Sequence, residues 1–343
     1  MPYTLLTGAN SFVGAHVINS LLAAGHKVVG TVRRESLIEQ IFGLHPEWKE
    51  NVELTVVGDY ADEASWDALF TKYSFDYIAH VAAPLLDNPA HTDYDRDFLK
   101  PSVDGNLALL RSAKGNAPGL KAVVVTGSIN AVTTGAPEAL LLAGPITSDT
   151  WVPISQEEAR KANHPFISYC SAKKEGELAI WDFVKKENPS FSVTVFLPGL
   201  IFGPPLQPVK SVKNLNFSVG LVYNLFNGSS PTVPSTVFPS SVDARDLADA
   251  HVKALTTPAA ANRRLLINCK PMTFTMLAHT LAKLPELAGR VSADSGEDAN
   301  VVFGHFEADS DNAVIGLNFR TLDETMADTA RKILELERAE AAQ

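Results

Sequence analysis

The first 24 residues constrain the fold more than any other stretch. Tyr3 to Thr7 is a short apolar run. Gly8-Ala9-Asn10-Ser11-Phe12-Val13-Gly14 follows, and an amphipathic helical pattern then continues through about Ala24, with Gly25 where a helix-ending glycine falls. Strand, glycine turn and helix in this order open a parallel βαβ unit, the context in which a glycine pattern signifies dinucleotide binding. Gly8 permits the tight turn and Gly14 permits close helix–strand packing. The helix N-terminus then turns backbone N–H groups toward a pyrophosphate. The middle position of the glycine pattern is Ser11, which removes clearance and adds a hydroxyl. The plainer reading is an ordinary turn with a helix cap.

Further strand-like runs alternate with helical segments: His26 to Val32, Val52 to Gly58, Asp76 to Ala79, Leu120 to Thr126 and Phe191 to Leu197. The alternation predicts an α/β fold, a Rossmann-type doubly wound parallel sheet. What ends each strand matters, because ligands of such sheets bind at the carboxyl edge. The second strand ends in Arg33-Arg34, where an NAD enzyme usually has an acidic residue for the ribose diol. A planar guanidinium suits a phosphate, so the pair argues for NADP(H); otherwise it is a solvated pair. Asp59 after the third strand reads either as an acceptor for an adenine amino group or as a cap for the helix from Glu63. After the fourth, Val81, Ala82 and Ala83 are small enough for close cofactor approach, and His80 reads as a catalytic base or a structural histidine. Ser128, after the fifth, reads as a turn residue or as a group facing the ligand crevice.

Tyr169-Cys170-Ser171-Ala172-Lys173 opens a helical segment, with Tyr and Lys on one face. A phenol has a pKa near ~10, and a cation beside it lowers that value, making Tyr169 a usable proton donor. On its own the pair reads equally as an inner-face Tyr with a solvated Lys.

Between these pieces, Ala131 to Pro165 is long, proline-containing and aperiodic, the pattern of an active-site cover. A segment from about Asp93 to Ser112 reads as one long helix interrupted by Pro101 and Gly105, and Pro198 to Pro205 as a rigid turn run. From about Gln207 short strands and helices alternate. They include Val212 to Phe226, a helix through Leu255, a strand Asn262 to Asn268, and helices Met272 to Leu284 and Thr321 to Glu337. We read residues 1–200 as an NADP-binding domain and 201–343 mainly as a smaller α+β substrate lobe, with segments near 240–270 returning to the first domain. The apolar side chains Phe202, Leu206, Phe217, Tyr223, Leu225 and Phe226 read as core or as pocket wall.

The formal net charge of −10 and the lack of any basic tract exclude nucleic acid and anionic membrane as expected partners. No apolar run approaches ~18 residues, so no membrane span is expected. Two cysteines, Cys170 and Cys269, support neither a disulfide framework nor a metal site, and a reducing cytoplasm is the default.

In this order and spacing the motifs resemble the extended short-chain dehydrogenase/reductases over nearly the whole chain, from about Tyr3 to Glu337. The branch they resemble holds the dihydroflavonol and cinnamoyl-CoA reductases and the yeast methylglyoxal and carbonyl (aldehyde) reductases. The pieces are Thr7 to Gly14, Gly30 to Arg33, His80 to Pro84, Lys100 to Gly105, Val125 to Ser128, Tyr169 to Lys173, Leu197 to Gly199 with Phe202 to Pro204, and Val242 to Ala248. The resemblance implies a reductase that passes hydride from NADPH to an aldehyde or ketone. Ser128 and Tyr169 would bind the carbonyl oxygen, with Tyr169 as proton donor. Lys173 would bind the nicotinamide ribose. Gly8, Ser11, Phe12, Val13 and Gly14 match the pyrophosphate loop, Arg33 the 2′-phosphate binder with Arg34 assisting, and Asp59 and Tyr60 the adenine contact. Val81, Ala82, Ala83, Pro198 and Gly199 complete the expected cofactor contacts. Pro84, Ile129, Asn130, Phe202 and Phe226 are the expected substrate contacts. Gly127 departs from the branch, which usually has Ser there, and Ser102 stands near the place of a catalytic Asn found in other short-chain enzymes. The alternatives are an epimerase or dehydratase, a hydroxysteroid-type dehydrogenase, or a non-enzymatic NADP sensor. Monomer and homodimer are both expected states of such a chain.

Overall fold

A computed structural model describes residues 1–83, 92–142 and 144–342. The strands are β1 (Tyr3–Thr7), β2 (Lys27–Val32), β3 (Val52–Val56), β4 (Tyr77–His80), β5 (Ala122–Thr126), β6 (Ser192–Pro198), β7 (Leu200–Phe202), β8 (Ser240–Asp243), β9 (Arg263–Ile267) and β10 (Lys270–Pro271). Seven of them form one sheet in the order β3-β2-β1-β4-β5-β6-β9, and every neighbouring pair is parallel. Parallel sheets are covered on both faces, so their central strands are apolar throughout rather than alternating. Ile78, Ala79, Val123 and Val124 fit this rule, none of them exposing measurable surface. The chain order reverses between β1 and β4, the point at which ligands bind in doubly wound folds.

The glycine turn is built as its residue types require. Gly8 has φ +73°, a conformation that disfavours a side chain. A Cβ on Gly14 would lie 2.2 Å from the Gly8 carbonyl oxygen. Ser11 has extended backbone and caps the helix Phe12–Ala23, its hydroxyl accepting from the Gly14 N–H at 3.0 Å. The serine at the middle glycine position is therefore a helix cap.

The sequence and the structure part at several boundaries. The third strand stops at Val56 and the fourth is displaced by one residue to Tyr77–His80. The expected helix from Asp93 is two elements, a π-helical turn Tyr94–Leu99 and the helix Lys100–Asn116. Pro101 sits in the first turn of the second, where its missing N–H costs nothing. The expected helix from Val212 splits likewise into a short turn Val212–Asn214 and the helix Phe217–Asn224. The expected rigid run after Pro198 contains β7, which pairs in parallel with β8, while β10 pairs antiparallel to β8. Gly199 makes the strand switch possible, because a Cβ there would stand 2.6 Å from the Ser240 carbonyl oxygen.

The later segments fold back on the first half. β9 extends the main sheet beside β6, and the helix Ala244–Ala254 packs against Phe12–Ala23. Asp243 caps Ala244–Ala254 and pairs with Arg245, whose other nitrogen reaches Asp328 on the C-terminal helix Leu322–Ala341. Thr325 of that helix donates to Asp243 at 2.7 Å. Thus the Val242 to Ala248 motif is a junction between the two halves of the chain.

The stretch from Ala131 is held at several points. Its residue Ile146 bridges to Phe306, Gly135 lies against the Phe238 ring, and a helix Gln156–Ala162 is closed by a Ser155–Glu158 capping box. The Arg264 guanidinium stacks 3.5 Å over the Trp151 ring, donates to the Thr150 carbonyl at 2.9 Å and pairs with buried Glu177. We predict that Gly199→Ala lowers stability by about 1–3 kcal/mol, the usual cost of overpacking a tight site. Urea unfolding measures it, and an unchanged midpoint would contradict the close approach of β6 and β8.

Candidate active site

A cavity of about 370 Å³ runs along the carboxyl edge of the sheet. At one end lie Arg33, Asp59 and Tyr60, and at the other Gly127 and Lys173, with Ala82, Ala83, His80, Ser102 and Asn106 between. Its volume falls in the ordinary range of small-molecule sites.

Lys173 and Tyr169 lie one turn apart on the helix Pro165–Glu187, which begins with a proline in its first turn. The Lys173 Nζ is 5.4 Å from the centre of the Tyr169 ring. Lys173 is half-buried, and desolvation pulls its ammonium down to about 8. A cation held in a low-dielectric wall acts strongly on its neighbour, so the Tyr169 phenol sits in the field of a poorly hydrated charge.

Ser128 follows β5 with extended backbone and caps a short turn Ile129–Ala131. Its hydroxyl accepts from the Asn130 N–H at 3.1 Å. Asn130 is fixed in turn by donating to the Thr133 carbonyl at 3.3 Å. Gly127 explains the departure from the branch: a Cβ there would meet the Phe196 carbonyl oxygen and the Val195 side chain at 2.8 Å each. Its N–H pairs with that same Phe196 oxygen at 2.8 Å.

At the other end Arg33 is exposed and lines the cavity, whereas Arg34 is exposed outside it. Asp59 also lines the cavity, and its carboxylate accepts from Ala61 N–H at 2.9 Å. The cap of the helix Glu63–Lys72 is Asp62, so the capping alternative for Asp59 falls away. The Tyr60 hydroxyl accepts from the Gly8 N–H at 3.1 Å and bonds Thr31 Oγ1 at 2.8 Å. It buttresses the glycine turn from below while Tyr60 lines the cavity. Ala82 abuts Gly8, where an added Cβ would come within 3.2 Å of its backbone. Val81 is buried beneath.

Gly8, Ser11, Gly14, Ser128, Asn130 and Tyr169 flank this cavity in sequence without lining it, and other expected residues lie apart from it. Phe12 and Val13 are buried at the start of their helix, and Pro198 and Gly199 stand at the β6–β7 switch without lining it. Ile129, Phe202 and Phe226 are core residues, 2%, 1% and 1% exposed, and they present no surface to a substrate. Their apolar character was ambiguous in sequence, and packing resolves it as core. Pro84 lies outside the described residues. His80 is buried, and desolvation lowers its pKa to about 4. Such a group is a poor base toward a ligand. Among the described residues no group of His, Cys, Asp and Glu side chains is arranged to hold a metal ion, and no helix is long and apolar enough to cross a membrane. Cys170 and Cys269 are both buried free thiols, pushed up to about 12 by burial.

Sequence reasoning passed over Asn106. It lines the cavity and bridges His80 to the helix carrying Lys173. Nothing in the surrounding Lys100 to Gly105 motif marked it.

The family model for the NAD dependent epimerase/dehydratase family matches residues 4–269. The chain belongs to that family. The NADPH-dependent methylglyoxal reductase of Saccharomyces cerevisiae is 30% identical, over 97% of this chain and 98% of that protein. A ketoreductase of Aspergillus niger is 30% identical, over 96% of this chain and 97% of that protein. Among solved structures, yeast methylglyoxal/isovaleraldehyde reductase complexed with NADPH superposes with a TM-score of 0.85 at 27% identity, covering 98% of this chain and 99% of that one. The extended short-chain reductase architecture and the Rossmann sheet expected from the motifs are thereby established. The cradle of this chain fits a dinucleotide phosphate: the Gly8–Gly14 turn leaves no room for a Cβ, the Phe12 and Val13 N–H groups lie in the first helical turn, and Arg33 supplies a cation at the far end.

The depressed Lys173 ammonium sets a pH dependence. As pH rises through about 8 the charge is lost, and any action of Lys173 on the Tyr169 phenol beside it would be lost with it. We predict that kcat/KM for carbonyl reduction falls above about pH 8, as read from a pH–rate profile. A flat profile to pH 10 would contradict this role of Lys173.

Proposed function

We propose that this protein is an NADPH-dependent carbonyl reductase that converts an aldehyde or ketone to an alcohol, with Tyr169 as proton donor. The observation that carries the reading is a cavity lined by both Arg33 and Lys173, with the Tyr169 phenol next to that lysine. The cofactor supplies the hydride. Arg33 binds the ribose 2′-phosphate through charge-assisted hydrogen bonds, assisted at the surface by Arg34. Phe12, Val13, Ser11 and the two glycines hold the pyrophosphate at the helix N-terminus. Asp59 accepts from the adenine amino group, and Ala82 and Ala83 let the cofactor lie against the backbone.

Ser128 and Tyr169 hydrogen-bond the substrate carbonyl oxygen and stabilise the negative charge that develops there. Asn130 keeps the Ser128 hydroxyl in place through its backbone N–H. Tyr169 then delivers its proton to that oxygen, and Lys173 keeps the phenol acidic. The substrate is a small carbonyl compound with some apolar bulk, admitted beside Asn130. We assign the protein to the cytoplasm, a reading supported by its two free cysteines, and expect it to act as a monomer or homodimer.

The presence of Arg33 disfavours the epimerase reading, since a retained NAD has no 2′-phosphate to bind. Ser128, Tyr169 and Lys173 together disfavour the sensor reading. Tyr169→Phe removes one oxyanion donor and the proton source. We predict a loss of ~10²–10³ or more in kcat with NADPH affinity largely kept. NADPH oxidation against a carbonyl panel measures it, and near wild-type turnover overturns the assignment. Arg33→Ala removes a charged hydrogen-bond partner of about 1.5–3 kcal/mol, so KM for NADPH should rise tenfold to roughly 100-fold. KM for NADH, measured in parallel, should scarcely change; equal losses with both cofactors would overturn the 2′-phosphate role.

A further inference from the structure

Between the cofactor cradle and the Tyr169 helix runs a chain of hydrogen bonds that the proposed mechanism does not use. Thr7 Oγ1, at the end of β1, accepts from the Val81 and Ala82 N–H groups, each at 3.0 Å. A hydroxyl has one hydrogen and two lone pairs. With both lone pairs engaged, Thr7 donates its hydrogen to His80 Nδ1 at 2.8 Å. The Nδ1 of His80 is thus an acceptor, and the imidazole carries its proton on Nε2. That nitrogen meets Asn106 Oδ1 at 3.0 Å. The orientation of Asn106 is fixed independently, because its Nδ2 faces the Gly176 carbonyl at 3.0 Å and a carbonyl can only accept. Every donor in the chain therefore finds an acceptor in one direction, from β1 to the helix Pro165–Glu187.

The chain ends three residues beyond Lys173. At that point the two helices are in closest approach: a Cβ on Gly176 would lie 3.1 Å from both the Ser102 Cβ and the Ser102 carbonyl oxygen. His80, Asn106, Ser102, Gly176 and Lys173 all line the same cavity.

We propose that Thr7, His80 and Asn106 form a relay of positioning residues that clamps the Tyr169–Lys173 helix to the carboxyl edge of the sheet and keeps water away from Lys173. This rests on the assignment of Tyr169 and Lys173 above. The relay is uncharged, as its burial requires: desolvation and the nearby Lys173 ammonium both disfavour a protonated His80. The other titratable groups lining the cavity are Glu177, which follows Gly176 on the same helix, Arg96 and Lys100 beside the start of Lys100–Asn116, and Asp59, Tyr60 and Arg33 at the far end. Glu177 is committed to Arg264 and to the Trp181 N–H, so the side chain that approaches Lys173 from the sheet is a neutral imidazole.

The test uses Asn106→Ala, His80→Ala and the double variant, with Tyr169→Phe as reference. Measured for each are kcat, NADPH affinity by fluorescence titration, the pH–rate profile and thermal melting. A catalytic group displaced by about 1 Å can lose ~10²-fold in rate, so a loosened helix should cost each single variant about tenfold or more in kcat while NADPH affinity changes little. The double variant should be no worse than the singles, because either substitution breaks the same chain. The basic limb of the pH profile should move to higher pH, since a better hydrated Lys173 regains its ordinary ionisation. A purely structural role would lower melting and active fraction without moving that limb. Wild-type kcat and an unmoved limb in Asn106→Ala overturn the relay, as do losses that multiply in the double variant. Asn106 is half-buried on the cavity wall, so this variant decides the matter should His80→Ala fail to fold. Retained turnover in Tyr169→Phe would instead overturn the assignment of Tyr169. An inactive Tyr169→Phe beside an unaltered Asn106→Ala overturns the relay alone.

Discussion

The close approach of β1 to β4 at their carboxyl ends is the constraint on which the rest of the structure depends. Parallel strands have no turn between them to set their ends, so side chains must do it. Here the Thr7 hydroxyl takes the two N–H groups that leave β4, and Gly8 turns away at positive φ against Ala82. The opening between these strands is the sheet's switch point, and the helix Phe12–Ala23 starts from it. A cofactor cradle follows from that geometry alone: N–H groups of the first helical turn, a floor of small residues, and cations at the strand ends nearby.

Burial then sorts the ionisable groups around this opening. His16, His80 and His251 are all buried and lowered to about 4, each neutral and each hydrogen-bonded to a carbonyl or a side chain. Lys173 is the exception, a cation in a half-buried wall with no compensating carboxylate contributing to its ionisation. Among the described residues, buried carboxylates elsewhere are paired. Glu177 meets Arg264, Asp243 meets Arg245, and Asp246 meets Arg320. These pairs join β9, the C-terminal helix and the stretch around Trp151 to the core. A cation with no carboxylate partner among the described residues stands out against that background, and it stands one turn from a phenol.

Much of the site was legible in the sequence because its chemistry is local. The glycine turn, Arg33, Ser128 and the Tyr169–Lys173 pair each sit at the end of a strand or on one helical face, and spacing alone sets those positions. What escaped was non-local. Asn106 bonds to partners 26 and 70 residues away, and no local pattern encodes such a meeting. Ser11 looked like a departure from a glycine pattern until its hydroxyl was found capping the helix. Asp59 read either as an adenine acceptor or as a helix cap, and the backbone gives the cap to Asp62 instead. Ile129, Phe202 and Phe226, expected as substrate contacts, are buried for a related reason: an apolar side chain looks the same in a core and in a pocket, and only packing separates them.

The sequence by itself determined the fold class, the direction of the sheet and the choice of candidate reacting groups. Period-two and period-3.6 patterns, glycines at obligatory turns and a cation at i+4 from a phenol are properties of adjacent residues. The tertiary structure decided which groups are desolvated and which meet. It made Lys173 acidic, His80 neutral and Gly127 obligatory, because those properties depend on what lies across the gap from each residue. Desolvation and close approach are set by neighbours distant in the chain, and a linear pattern carries no record of them.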